Sequence, residues 1–65
     1  MDKHYSIILW RKGPRIVRTN SIEIVKHLAR LSFMFDIIKI IDWEAEKVIF
    51  YKSKDGEYIN RIKEA

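Results

Sequence analysis

The fold is decided by the stretch IIKII at residues 37–41. Four of its five residues are β-branched, and β-branched side chains favour a strand over a helix. The alternative is that the apolar spacing of the preceding helix runs on through Ile38, Ile41 and Ala45, giving one helix of about 25 residues. We adopt the strand, so the second half of the chain contributes to a sheet. Helix continuation over residues 37–45 stays open at this point.

Upstream of this stretch, the sequence predicts one amphipathic helix from Ser21 to Phe35. Asn20 is the expected N-cap, and Glu23 three residues later is placed to complete a capping box. The apolar stripe expected to face the core, with two residues beside it, comprises Ile24, Leu28, Leu31 and Phe35, flanked by Val25 and Ala29.

The N-terminal part of the chain predicts a β-hairpin. Residues 4–10 form the first strand and residues 15–19 the second, because Gly13 and Pro14 interrupt the apolar pattern between them. A four-residue loop pairs Trp10 with Arg15. The same register pairs Leu9 with Ile16 and Ile8 with Val17.

This register assigns the side chains of the hairpin to two faces. One face then carries Tyr5, Ile7, Leu9 and Ile16, and the other carries Ile8, Trp10 and Val17. Both faces are apolar, which is typical of strands that are covered on both sides.

The remainder of the chain predicts further antiparallel strands. A turn at residues 44–46 leads into a strand over residues 47–52, and Asp55-Gly56 is a two-residue hairpin signal. Residues 58–62 form either a fifth strand or a short terminal turn. The order β-β-α-β-β-(β) predicts a single α+β domain spanning residues 1–65. Its antiparallel sheet has four to five strands, with one helix packed across it.

The short length of the chain favours self-association. A domain of 65 residues has a small core, and small domains usually gain stability from a disulfide, a metal or a partner subunit. The chain has no cysteine, and His4 and His27 are too far apart to form a zinc site alone, so we expect neither a metal nor a cofactor. Apolar residues make up 48% of the chain. We therefore expect a homo-oligomer, a dimer in the simplest case; the alternative is a dense monomer core.

The distribution of charged residues argues against a membrane protein. The apolar stretches are short, and the longest, residues 31–41, contains Asp36 and Lys39. Such a run does not span a bilayer, and no secretory signal is apparent. We therefore expect a cytoplasmic protein without membrane contact.

The sequence contains no recognisable catalytic motif. Its serines lack the motifs that surround nucleophiles, and its two glycines are too few for a phosphate-binding loop. Asp42 and Glu44 would project to one side of a strand, as acid–base catalysis requires, but they also suit a solvated turn. We expect a binding module and not an enzyme.

Basic residues are concentrated in the N-terminal half of the chain. The formal net charge is +4, with +5 in residues 1–30 and −1 in residues 31–65. Cations beside an aromatic side chain suit the binding of a phosphate backbone with base stacking. The alternative is that a basic hairpin tip merely aids solubility and blocks edge pairing. The predicted nucleic-acid site comprises Trp10, Arg11, Lys12, Arg15 and Arg18.

A second hypothesis is a protein-binding module, acting as a regulator, an inhibitor or a subunit. Phe33, Met34 and Phe35 are consecutive, so they cannot all lie on one face of a helix. Trp43 lies between two acidic residues and is a candidate anchor. The predicted protein interface, including a dimer contact at the end of the helix, comprises Phe33, Met34 and Trp43. The sequence places nucleic acid slightly ahead of protein as partner and does not distinguish DNA from RNA.

Overall fold

A computed structural model describes residues 4–62. The elements follow the predicted order, with a fifth strand and an additional 3₁₀ turn. They are β1 (Tyr5–Trp10), β2 (Pro14–Thr19), α1 (Ile22–Arg30), the 3₁₀ turn (Ser32–Met34), β3 (Ile37–Asp42), β4 (Lys47–Lys52) and β5 (Tyr58–Asn60).

The five strands form one antiparallel sheet in the order β2-β1-β3-β4-β5. The predicted α+β class is confirmed, and residues 37–42 are a strand and not a continuation of the helix. β3 is the central strand, with β1 on one side and β4 on the other. The β-branched run therefore lies where a strand has neighbours on both edges.

The core lies between the sheet and α1, on one face of the sheet only. Val25 of the helix is fully buried against the strands. β4 contains a bulge, since Ile40 pairs with Phe50 but Ile41 pairs with Val48, so Ile49 has no partner on β3. A bulge lets two consecutive residues share one face, and Ile49 and Phe50 are both buried. The buried apolar residues are Tyr5, Ile7, Leu9, Val25, Ile38, Ile40, Ile49, Phe50 and Ile62.

The helix is shorter than predicted, and it ends at Arg30 instead of Phe35. The amide of Leu31 is shared between the carbonyls of His27 and Leu28, which tightens the last turn into 3₁₀ geometry. This geometry resolves the conflict among the three consecutive large apolar residues. Phe35 adopts an extended backbone and packs against the core, while Phe33 and Met34 stay exposed.

The start and the buried face of the helix also differ from the prediction. The N-cap is Ser21 and not Asn20, and the Ser21 hydroxyl accepts from the Ile24 amide at 3.4 Å. Val25 is the buried centre of the face and Ile24 is exposed. The partly buried residues on either side of Val25 are Ile22, Leu28 and Ala29. The helix is thus rotated by about one residue, since tertiary packing selects one of two adjacent apolar stripes.

The predicted register of the first hairpin is wrong by one residue. Trp10 pairs with Pro14, because the loop has three residues (11–13) and Pro14 already belongs to β2. Proline is tolerated there because β2 is an edge strand. The shift exchanges the faces: Val17 now lies opposite Ile7 and packs against the core, whereas Ile16 lies opposite Ile8 and is 62% exposed.

The two remaining turns use side chains and a glycine to reverse the chain. After β3, the carboxylate oxygen Oδ1 of Asp42 accepts from the amides of Glu44 and Ala45 at 3.0 and 3.2 Å. Between β4 and β5 the loop spans residues 53–57, so the turn predicted at Asp55-Gly56 exists but is longer than two residues. Gly56 has a φ of +98°, a conformation that side chains rarely adopt.

In residues 4–62, no helix is long and apolar enough to cross a bilayer.

Candidate functional site

The tip of the first hairpin places basic side chains over the helix side of the sheet. The loop of residues 11–13 is closed by a bond of 3.4 Å from the Arg11 amide to the Gly13 carbonyl. Arg15 lies opposite Leu9, whose side chain belongs to the core. Because side chains alternate along a strand, Arg15 projects on the same side of the sheet as Leu9 and Val17.

These basic residues line a cleft of about 740 Å³, which we call the tip cleft. Its apolar part consists of Leu9, Val17 and Phe35, and its basic part consists of Arg11, Lys12 and Arg15; Gly13 and Pro14 complete it. Of the residues that the structure describes, no acidic one lines this cleft. A surface of this kind suits a ligand that has both an anionic group and a flat or apolar group.

The position of Phe35 in the tip cleft depends on a tertiary hydrogen bond. The Asp36 amide donates to the Trp10 carbonyl at 2.8 Å, which ties the chain after the 3₁₀ turn to the end of β1. Sequence reasoning placed Phe35 in the core and did not assign it to a site. The missed signal is the tight end of the helix, which turns Phe35 toward the hairpin.

The remaining two residues of the predicted nucleic-acid site lie on the opposite side of the sheet. Trp10 pairs with Pro14 and Arg18 pairs with Ser6, so both project away from the helix. Trp10 does not line the tip cleft, and it does not lie across from Arg15. The structure thus brings three of the four predicted cations together and pairs them with Phe35 instead of Trp10.

The sheet surface opposite the helix, which we call the open face, is covered by no element among residues 4–62. Sequence reasoning expected the first hairpin to be covered on both sides, and that expectation is wrong within the described residues. The register gives three rows of side chains across this face. From β2 outward the rows are Ile16, Ile8, Lys39, Tyr51 and Ile59; Arg18, Ser6, Ile41 and Val48; and Pro14, Trp10 and Ile37.

The predicted protein interface is divided between two ends of the molecule. Phe33, 73% exposed, and Met34 lie in the 3₁₀ turn just before β3, whereas Trp43 follows the far end of β3. A six-residue strand separates them by about 20 Å. Trp43 is 52% exposed, and its indole Nε1 donates to the Ser6 hydroxyl at 2.7 Å. Trp43 therefore has a structural role at the edge of the open face.

Two smaller clefts are present elsewhere. One of about 280 Å³ lies around Arg18 and Trp43 at the end of the first hairpin. The other, of about 390 Å³, lies between α1 and the β4–β5 strands, where Lys26 and Arg30 approach Tyr58. The carboxylate of Asp42 is engaged by turn amides. Within residues 4–62, His, Asp and Glu side chains do not gather in threes as a metal site requires.

Comparison of the chain with protein-family models, curated proteins and solved structures gave no match.

Proposed function

We propose that this protein is a small non-catalytic binding module that contacts single-stranded nucleic acid through the tip cleft. The observation that carries the proposal is the convergence of Arg11, Lys12 and Arg15 on one cleft that also contains Phe35. Guanidinium and ammonium groups bind phosphate oxygens, and an aromatic ring stacks on a base. The net charge of +5 in residues 1–30 adds a long-range attraction for a polyanion.

A single strand is the preferred form because the aromatic ring lies inside a concave surface. In a duplex the base faces are stacked on each other, so a duplex offers the cleft only its phosphates. In a single strand, one base enters beside Phe35 while the flanking phosphates reach the cations at the rim. The proposal covers both DNA and RNA, since the cleft contains no group that selects for a 2′-hydroxyl.

The test is a fluorescence-anisotropy titration with labelled single-stranded DNA, single-stranded RNA and duplex DNA. Each cation that neutralises a phosphate on a single strand contributes about 0.7 to the slope of log affinity against log salt. Three cations predict an affinity loss of about 20-fold when salt rises from about 50 to 200 mM. The duplex is expected to bind more weakly than either single strand.

The two arginines of β2 provide a matched pair of variants. Arg15→Ala removes a cation from the tip cleft, whereas Arg18→Ala removes the same charge from the same strand on the opposite face. Arg15→Ala should weaken binding and reduce the salt-dependent loss to about sevenfold, because two contacts remain. Arg18→Ala should leave both quantities nearly unchanged. Absence of binding at low salt, or equal effects of the two variants, would refute the proposal.

A second candidate is a protein partner docked at the end of the helix. The observation in its favour is the exposure of Phe33 and Met34, two large apolar side chains, next to the tip cleft. Such an interface is mostly apolar, so its affinity should depend weakly on salt. Phe33→Ser would then weaken the complex, while Arg15→Ala would have little effect.

A further inference from the structure

The open face is an apolar surface that a monomer exposes to water. Ile16 is 62% exposed, and Trp10 and Ile59 are also exposed. Ile8, Ile37, Ile41 and Val48 are partly buried by their neighbours in the sheet but have no layer over them within the described residues. An apolar face without cover is typical of an interaction surface, since domains normally bury such a face under a second layer.

We infer that the open face docks on the open face of a second copy of this chain, so that two sheets stack with the helices outside. The inference is independent of the tip cleft, which lies on the helix side and stays accessible in such a dimer. Stacked sheets of this kind pack about 10 Å apart, with the strand directions of the two sheets within about 30° of each other.

The area of the open face is sufficient for a specific dimer. Five strands spaced about 4.8 Å apart and six residues at about 3.3 Å each give a surface of about 24 by 20 Å. This is about 480 Å² of flat area per copy, and the side chains add to it. Two copies thus remove about 1,000 Å² or more from water, which reaches the size at which specific interfaces begin.

The composition of the open face favours a second copy over a nucleic acid. Six of its twelve paired positions are Ile or Val, which pack on other aliphatic side chains but offer no ring for base stacking. Trp10 and Tyr51 are its two aromatic residues, and they are separated by β3. Self-docking also supplies the layer that a sheet with only one nine-residue helix lacks.

Lys39 gives this dimer a signature. It lies in the middle of the central strand, so a twofold axis through the middle of the face brings the Lys39 of each copy close to the Lys39 of the other. The apolar stem of lysine contributes to packing, but the two ammonium groups repel. Removing this charge should therefore strengthen the dimer, and added salt should do the same. A nucleic acid or an acidic partner on this face would respond in the opposite direction.

The experiment is sedimentation velocity of the full chain from about 1 to 200 µM, because dimer formation depends on protein concentration. Ile16→Glu places a charge in the open face at an exposed position, and Phe33→Glu makes the same change at an exposed apolar position outside it. We expect a dimer that Ile16→Glu dissociates and Phe33→Glu leaves intact. Far-UV circular dichroism checks that both variants are folded.

The Lys39→Met variant completes the test. It should tighten the dimer about tenfold, given the repulsion between two partly buried charges. A monomer at every concentration would overturn the inference, as would a dimer that Phe33→Glu dissociates while Ile16→Glu does not. Weaker association of Lys39→Met, or its loss of oligonucleotide binding, would assign the face to an anionic partner instead. None of these results affects the comparison of Arg15→Ala with Arg18→Ala, so the two proposals fail separately.

Discussion

The hydrogen bond between Trp43 and Ser6 should contribute measurably to the stability of the fold. Ser6 is the polar member of an apolar face and is only 8% exposed, and its hydroxyl accepts from the Trp43 indole Nε1 at 2.7 Å. This contact joins β1 to the turn between β3 and β4, across 37 positions of sequence. The perturbation is a double-mutant cycle of Ser6→Ala and Trp43→Phe, which removes each partner separately and then both.

The expected coupling free energy is about 1 kcal/mol. A hydrogen bond between neutral groups typically contributes about 0.5–1.5 kcal/mol net, and the short distance places this one in that range. The half-exposed indole keeps the value from exceeding that range, since water replaces part of the lost bond. In a domain of this size, each single variant should lower Tm by about 4–8 °C per kcal/mol lost.

The assay is urea unfolding followed by circular dichroism at a low protein concentration, so that self-association does not enter. A cycle of Ser6→Ala with Trp10→Phe is the control, because Trp10 lies on the same face about 13 Å further along β1. That cycle should be additive within about 0.3–0.5 kcal/mol. A coupling between Ser6 and Trp43 below this limit would refute the reasoning.

The remaining predictions concern one cap and one turn. Ser21→Ala should destabilise the protein by about 0.5–1 kcal/mol because it removes the N-cap acceptor. Asn20→Ala should cost less, and thermal unfolding of the two variants reverses this order if Asn20 is the cap. Gly56→Ala should destabilise by about 1 kcal/mol or more, because φ is +98° there. Gly13→Ala, where no atom lies within 4 Å of the added Cβ, should be neutral or slightly stabilising, and equal denaturation midpoints for the two glycine variants would contradict the turn geometry.

The sequence was sufficient to predict the elements and the fold class. The β-branched run at residues 37–41 specifies a strand locally, because branching at Cβ restricts side chains in a helix whatever their surroundings. Gly13, Pro14 and Gly56 mark the reversals of the chain through backbone properties that are also local. The clustering of cations at the hairpin tip is likewise visible in the linear sequence, and three of them do share a cleft.

Tertiary structure alone decided which residues share a face. The register of the first hairpin differs by one residue from the expected one, and in a strand of period two this shift moves Ile16 into solvent and Val17 into the core. The helix shows the same ambiguity, since Ile24 and Val25 are adjacent and both apolar, and packing against the sheet selected Val25.

The composition of each surface follows from that choice. Phe35 reaches the basic tip, and Trp10 leaves it, because of a three-residue loop and a hydrogen bond between residues far apart in sequence. The open face arises because one short helix covers only one side of five strands. Apolar periodicity identifies residues that need burial, but it does not tell whether the helix or another chain buries them, because the hydrophobic effect is non-directional.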